Sequence, residues 1–356
     1  MEIIEKSSKY YRMSNKKLLL IAPDWMGLHE DIIEGLKHKG YCVDFIAEKR
    51  YPYDPFYRLA KRRHQKTESE FLSELQLYWT NILSKEDFNK AYDYLFVVDG
   101  QALHPCIFDV LEQRNSSIKK VNFLFDRVQG VYDFDRYFNR FHRVFTFDPT
   151  DANKFGIELF QIYWVPGDNT LQEKYNLFGF GAYSRYRYNF FSELTKVFVD
   201  SQDKNFIKLY AAPIQNEWMH EIKNYVRKAL GYTPNISRRE LHSGMITHES
   251  IKPEEFRGII YSSNVVVDTS APYQEGLTAR FMWALGAGKK IITTNQTVVN
   301  YSFYSPKQIF VIDKDKVEEH TDKIRAFVQS DCVIGDRIHK EVEKYRIDNW
   351  INHLLG

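Results

Sequence analysis

The sequence predicts an α/β protein built as two Rossmann-like domains, each a parallel sheet with helices on both faces. Three observations predict it. Short apolar runs of strand length alternate with stretches of helical periodicity, the βαβ pattern of parallel sheets. Several runs end in Asp, Gly or Pro, at the carboxyl edge where open α/β sheets bind ligands. The pattern restarts after a Gly-rich segment near residue 179, and 356 residues exceed the size at which one core stops growing.

Residues 1–15 read as a tail. Lys17–Ala22 is an apolar run ending in Pro23-Asp24-Trp25-Met26-Gly27, a buried strand and its loop. Residues 30–39 have helical periodicity and stop at Gly40. Residues 41–47 form a second strand. Residues 56–91 are polar, charged and helical in pattern. Tyr94-Leu95-Phe96-Val97-Val98 is a third strand, ending in Asp99. A helix over 107–114 leads to a strand that ends in Asp126, and residues 143–148 make a fifth strand ending in Asp148. No GxGxxG follows the first strand, so a dinucleotide site there is not expected.

Residues 161–165 read as a strand, followed by a turn at Pro166-Gly167-Asp168-Asn169. Leu177–Arg187 reads as the first strand and glycine loop of the second domain. A helix over 188–199, a strand over 206–211 and helices over 217–230 and 253–263 follow. Next come a strand over 265–268, a helix over 281–286 and strands over 290–294 and 308–313. The chain closes with helices over 316–329 and 336–354. The expected division is a first domain over 1–165, a second over 166–335 and a last helical segment over 336–356. The two halves are expected to face each other across a cleft.

Lys plus Arg (49) nearly balances Asp plus Glu (47), and a net charge of +2 gives no global drive toward nucleic acid. One local basic run, Arg58-Leu59-Ala60-Lys61-Arg62-Arg63-His64-Gln65-Lys66, is either a solvated helix face or a contact for anionic headgroups. Cys42, Cys106 and Cys332 show no CxxC spacing, so neither a metal site nor a disulfide framework is expected, which fits a reducing cytoplasm. No stretch reaches the length of an apolar membrane span, and a soluble or peripheral protein is expected. The 24 Tyr, 26 Phe and 6 Trp residues suit clefts that hold sugar rings.

The chemistry concentrates in Tyr273-Gln274-Glu275-Gly276-Leu277-Thr278-Ala279-Arg280 and in Leu285-Gly286-Ala287-Gly288-Lys289-Lys290-Ile291-Ile292-Thr293-Thr294-Asn295. A polar loop, a helix and a Gly-rich turn put a helix N-terminus beside an Arg and a carboxylate. Such a corner suits a sugar pyrophosphate. Arg280 is placed to make charge-assisted phosphate contacts or to pair with a local acid. Glu275 is a ligand for sugar hydroxyls or a solvated loop acid. Thr278 caps the helix whether or not it touches ligand. Gly179 and Gly181 permit close backbone approach to a phosphate or simply make a turn. Thr293, Thr294 and Asn295 end a strand, in capping or ligand roles. Asp24, Asp99, Asp126, Asp148 and His29 are candidates for ligand binding or a general base. Asp133-Phe134-Asp135 has the spacing of a metal-binding triplet, yet it lies in the middle of the first domain.

These residues resemble the signature of bacterial surface-polysaccharide glycosyltransferases of the GT-B fold, including the CgeB-like group. That pattern is close to His-Pro-x-Gln-x-Gly-Leu-Thr-x-Arg-x-x-Glu-x-Leu-Gly, then Lys-Lys-Leu-Ile-Thr-Thr-Asn. Pro272, Gln274, Gly276, Leu277, Thr278, Arg280, Leu285, Gly286, Lys289, Lys290, Ile292, Thr293, Thr294 and Asn295 match it. Ser184, Arg185 and Tyr186 match its glycine-rich loop, while Asp126, Phe147-Asp148-Pro149 and the 301–304 segment match further landmarks. The resemblance implies a cytoplasmic, metal-independent transferase with no cofactor, taking a nucleotide-sugar as substrate and a surface glycan or lipid-linked glycan as acceptor. Peripheral membrane contact would follow from a lipid-linked acceptor.

Under the resemblance, the domain over 1–165 serves the acceptor, the domain over 166–335 holds the donor, the helix over 336–356 packs back on the first domain, and Asp126 and Glu275 carry catalysis. Gly179, Gly181, Ser184, Arg185, Gln274, Gly276, Leu277, Thr278, Arg280, Thr294 and Asn295 hold the donor. Asp24, Gly27, Asp99 and Asp148 face the acceptor. Two departures stand out. Ala271 occupies the family's His position, and Trp283 occupies the position of a Glu that holds ribose hydroxyls. An indole accepts no hydrogen bond. If Trp283 marks a decayed ribose site, Trp283→Glu should improve ribose recognition. A catalytically degenerate scaffold protein and a sugar-nucleotide epimerase remain as alternatives.

Overall fold

The computed structural model describes residues 16–24, 27–48, 68–101, 103–131, 134, 137–198, 204–270, 275–332 and 334–356. The tail over 1–15, the basic run over 58–66, Asp133, Asp135, Ala271, Pro272 and Gln274 lie outside the described residues. The chain divides into two compact units. The first comprises Met1–Thr146, Asp151–Phe160 and Ile347–Gly356; the second comprises Phe147–Thr150 and Gln161–Arg346.

The first unit carries six parallel strands: β1 (Lys17–Ala22), β2 (Cys42–Ala47), β3 (Tyr94–Val98), β4 (Lys119–Leu124), β5 (Arg143–Thr146) and β6 (Glu158–Leu159). Their order is β2-β1-β3-β4-β5-β6, so the winding reverses between β1 and β3. Helices α1 (Leu28–His38), α2 (Glu68–Leu83) and α3 (Cys106–Arg114) connect the early strands, and α4 (Pro149–Phe155) follows β5. Leu18, Leu19, Leu20 and Ile21 are wholly buried because helices cover both faces of the sheet. On one face Trp79, Leu83, Phe108 and Leu111 share a core with Leu19, Leu95 and Val97.

The other face is closed by the last helix of the chain, α12 (Ile347–Leu355). Its Trp350 rests against Phe96 and Phe123, with ring centroids 5.9 and 4.9 Å away. Gly35 of α1 lets this helix approach, because a Cβ there would stand 2.6 Å from Ile351 Cδ1. Arg143 on β5 donates to the carbonyl of His353 at 2.6 Å, tying the edge strand to the same helix.

The second unit repeats the plan with β7 (Tyr175–Ala182), β8 (Asn205–Tyr210), β9 (Ile246–Thr247), β10 (Ser263–Asp268), β11 (Lys290–Thr293) and β12 (Ile309–Val311). The order is β12-β11-β10-β7-β8-β9, all parallel, with the reversal between β7 and β10. Its helices are α5 (Arg185–Val197), α6 (Glu217–Ala229), α7 (Arg238–Leu241), α8 (Pro253–Tyr261), α9 (Ala279–Gly286), α10 (Thr321–Gln329) and α11 (Asp336–Glu343). Phe190, Phe191 and Leu194 of α5 fill the core against Leu177, Ile207 and Val265.

Three local expectations differ from the structure. The closing helix over 336–354 is two helices, α11 and α12, broken at Lys344–Arg346. The strand expected at 161–165 is irregular, with one isolated bridge from Trp164 to Arg346. Residues 149–155, where the sequence reading expects no element, form α4: Pro149 starts the helix, and Asp148 Oδ1 accepts from Thr150 N at 3.0 Å. An Asp followed by Pro is a helix-start signal, since Pro gives up only a donor that has no acceptor inside the helix.

Candidate functional site

In the second unit the winding reverses between β7 and β10, and in open α/β sheets ligands bind at the carboxyl ends of the strands at such a point. Of the predicted signature, Glu275, Gly276, Thr278, Arg280, Thr293 and Asn295 gather at that point. Asp268, the last residue of β10, is 1% exposed and organises it. Its carboxylate accepts from Arg280 Nε at 3.1 Å, Arg280 Nη2 at 2.9 Å, Thr278 Oγ1 at 2.6 Å and Thr293 Oγ1 at 3.3 Å. Thr278 thus has two tasks. It donates to Asp268 and caps α9 by accepting from Phe281 N at 3.1 Å. The N–H groups of the first turn beyond that cap have no acceptor inside the helix and carry its positive dipole end.

Two guanidinium groups meet over Gly181 on β7. A Cβ there would lie 3.2 Å from Arg187 Nη1 and 3.3 Å from Arg280 Nη1. Arg187, on the first turn of α5, donates to Thr269 Oγ1 at 2.7 Å and to the carbonyl of Ala182. Among the described residues, one buried carboxylate, Asp268, lies at this corner with two guanidinium groups and a helix N-terminus. The local balance favours an anion, and guanidinium pairs suit phosphate oxygens. Arg187 and Asp268 were missed in the sequence. The available signal for Asp268 was a strand ending in Asp, the pattern already read at Asp99, Asp126 and Asp148.

The loop before α9 is pinned by the segment that follows β5. Asp148, wholly buried, accepts from Glu275 N and Gly276 N, both at 3.2 Å. The acceptor-side expectation put Asp148 with the first domain; its contacts put it in the second unit, where its oxygens hold backbone N–H groups. Gly276 allows the close fit, because a Cβ would stand 2.4 Å from the Phe147 ring. The Asn295 amide donates to the carbonyls of Glu275 and Gly276 at 2.9 and 3.2 Å, and Thr297 Oγ1 donates to Glu275 O at 2.8 Å. Glu275 is left with an exposed carboxylate that accepts from Thr150 Oγ1 at 2.7 Å. Tyr301, against Gln161 Nε2 at 3.1 Å, has its phenol pushed up by burial first and by nearby Tyr345, Asp148 and Glu275 second.

The other predicted donor residues are placed as follows in the second unit. Gly179 is a packing glycine, with Ile207 Cδ1 and Phe191 Cζ each 3.0 Å from where its Cβ would be. Ser184 is the residue before α5, without a side-chain cap bond. Arg185 pairs with Glu240 at 3.2 Å and donates to Asn235 O at 2.9 Å. Leu277 is buried, and Thr294 N lies 3.4 Å from Asp268 O. Trp283, in the expected ribose position, is a core residue. It is 4% exposed and sets its ring edge-on to Phe256 at 5.7 Å.

The first unit has its own reversal, between β1 and β3. Asp24 is exposed just past β1, and Gly27 precedes α1 with φ of 65°. Asp99 follows β3 with φ of 62°, a left-handed conformation uncommon outside Gly, Asn and Asp. Its Oδ1 accepts from Phe125 N at 2.6 Å and Asp126 N at 2.9 Å, and Asp126 accepts from Gln101 Nε2 at 3.1 Å. Glu48, buried at the end of β2, accepts from Gly100 N at 3.3 Å and was not singled out in the sequence. His29 stacks on Phe45 at 4.9 Å. Asp24, Asp99 and Asp126 therefore share one sheet edge. Among the described residues no group of three His, Cys, Asp or Glu side chains is arranged to hold a metal ion.

No family model matches the chain, and no curated protein matches it in sequence. Solved structures do. The N-terminal domain of trehalose-6-phosphate phosphatase from Candida albicans superposes with a TM-score of 0.56 at 9% identity, over 96% of this chain and 97% of that one. An α,α-trehalose-phosphate synthase (UDP-forming) from Burkholderia xenovorans, solved with glucose-6-phosphate, gives 0.55 at 12% identity, over 96% and 100%. Sucrose-phosphate synthase from Thermosynechococcus elongatus gives 0.53 at 11%, over 96% and 98%. Identities this low show the fold alone: two Rossmann-like domains, the GT-B architecture expected from the sequence.

Proposed function

We propose that the chain is a glycosyltransferase that moves a sugar from a nucleotide-sugar donor to a glycan or lipid-linked glycan of the bacterial cell surface. The observation that carries the reading is the convergence of Arg187 and Arg280 on Gly181, at the switch point of the second sheet and beside the capped end of α9. Transfer leaves a nucleoside diphosphate. Two fixed guanidinium groups and a helix dipole stabilise that developing charge without a metal ion. Glu275, exposed on a loop that Asp148 and Asn295 hold in place, meets the hydroxyls of the transferred sugar. Asp126 and its neighbours Asp24, Gly27 and Asp99 serve the acceptor, with Asp126 as the base if the transfer inverts. On this reading the enzyme works in the cytoplasm and uses no cofactor. The likeness in fold to a UDP-forming synthase supports it.

Trp283 favours a second reading, a binding protein on the same fold without turnover. A buried indole offers no acceptor for ribose hydroxyls.

The test is a thermal-shift panel of UDP-, GDP-, dTDP-, CMP- and ADP-sugars, with wild type and Gly181→Ala side by side. A true donor at a hundred times its Kd stabilises the fold by about 2.7 kcal/mol. Gly181→Ala, whose Cβ pushes on both guanidinium groups, should lose that shift while melting normally without ligand. Silence across the panel from well-folded protein sinks the donor reading. A hit with no turnover on any glycan acceptor supports the binding-protein reading.

A further inference from the structure

Helix α6 (Glu217–Ala229) is turned inside out. An amphipathic surface helix normally packs its apolar stripe on the core. Here the inward side is polar. Asn224 donates to Ile236 O and accepts from Asn235 N, both at 2.9 Å, and His220 Nε2 lies 2.8 Å from Ile236 O. Glu221 accepts from Arg238 N at 2.7 Å. The outward side carries Trp218, Ile222, Tyr225 and Val226, with Met219 and Leu230 beside them. Trp218 is 74% exposed and Tyr225 76%. At 100° per residue these side chains form one continuous stripe. Lone apolar surface residues are ordinary, whereas a contiguous patch marks an interaction surface.

The charges say what the patch meets. Lys223 and Arg227 flank the stripe on one side; on the other flank Lys228 lies beside Glu221, whose carboxylate is occupied by Arg238 N. From 217 to 242 there are five basic residues (Lys223, Arg227, Lys228, Arg238 and Arg239) against three carboxylates. All three carboxylates have cationic or backbone partners: Glu217 with His242 and Arg238, Glu221 with Arg238 N, Glu240 with Arg185. Two copies of this face brought together would oppose cation to cation. An anionic lipid surface complements it. Tyr and Trp, apolar bodies with polar tips, settle at the headgroup level. Among the described residues no helix is long and apolar enough to cross a bilayer. A helix of 13 residues with this pattern lies in the interface plane instead.

We infer that α6 is a membrane-docking helix that seats Trp218, Ile222 and Tyr225 in the headgroup region of an anionic bilayer, with Lys223, Arg227 and Lys228 on its phosphates. The inference is independent of the donor reading. The test is co-sedimentation of the full chain with phosphatidylcholine vesicles, alone or containing phosphatidylglycerol at roughly one lipid in three. Binding is expected to the anionic vesicles and to weaken with salt. Trp218→Ser/Tyr225→Ser should abolish it with an unchanged melting curve. Lys223→Ala/Arg227→Ala/Lys228→Ala should weaken it on the order of a hundredfold. The inference is overturned if wild type stays in the supernatant with anionic vesicles, or if the Trp218/Tyr225 variant binds as wild type does. A dimer in sedimentation equilibrium that this variant dissolves, without vesicle binding, would assign the face to a second copy.

Discussion

Trp283 shows how a residue's meaning depends on which way it faces. Read in line with a sugar-transferase signature, it stands where a ribose-binding carboxylate belongs, and Trp283→Glu promises a repaired site. In the folded chain it is core, packed edge-on to Phe256. A glutamate there would be a carboxylate in apolar surroundings with a void around it. Trp283→Glu is therefore expected to cost at least about 3–5 kcal/mol in chemical denaturation and to bring no gain in nucleotide affinity. His353 gives a pH-dependent test. Burial first, and the Arg143 guanidinium second, hold its pKa below the ordinary 6.5, while it stacks on Phe160 at 4.0 Å. Above pH 6.5 the ring is neutral in both folded and unfolded chains, and its full contribution is present. As the pH falls through 6.5 the unfolded chain takes up the proton first, so stability drops until the folded imidazole also protonates. Melting temperature should fall over that window, and His353→Phe should flatten the fall.

The elements themselves were legible, because apolar runs and 3.6-residue periodicity are local signals. Their surroundings were less so. Lys290 matched a sequence signature, and the structure gives it a mechanical task. Its ammonium donates to the carbonyls of Phe327, Val328 and Ser330 at 3.2, 2.6 and 2.7 Å, closing the end of α10. Those carbonyls lie 37 to 40 residues away, beyond any local pattern. Lys290→Met keeps the length but leaves buried acceptors unmatched, and a loss of about 2–4 kcal/mol is expected in urea unfolding. The same limit hid the tasks of Asp148, whose partners are 127 and 128 residues away, and the inverted seating of α6. The helix was legible from its periodicity. Its orientation rests on Asn224 and His220 finding carbonyl and amide partners after the helix ends. Helix α4 could have been read from Asp148-Pro149, and Asp268 from its place at a strand end.

At the scale of the molecule, the first unit is assembled from segments of chain far apart in sequence. The helix over Ile347–Leu355 covers one face of the sheet whose first strand starts at Lys17. Trp350, Ile351, Leu354 and Leu355 are each at most 4% exposed. Four such side chains stabilise by roughly 6–12 kcal/mol, comparable with the whole stability of a domain. Truncation after Arg346 should therefore abolish the cooperative melting of the first unit, as seen by hydrogen exchange across β1 and β3, while β7 and β10 stay protected. There is a consequence for the order of birth. The second unit lies between residues 147 and 346, so every strand of its sheet has been synthesised before α12 exists. At ordinary translation speed the first unit waits roughly 10–40 s after Phe160 for its closing helix. During that time the apolar face that Trp350 will cover is open, and it is then that a chaperone would find this chain.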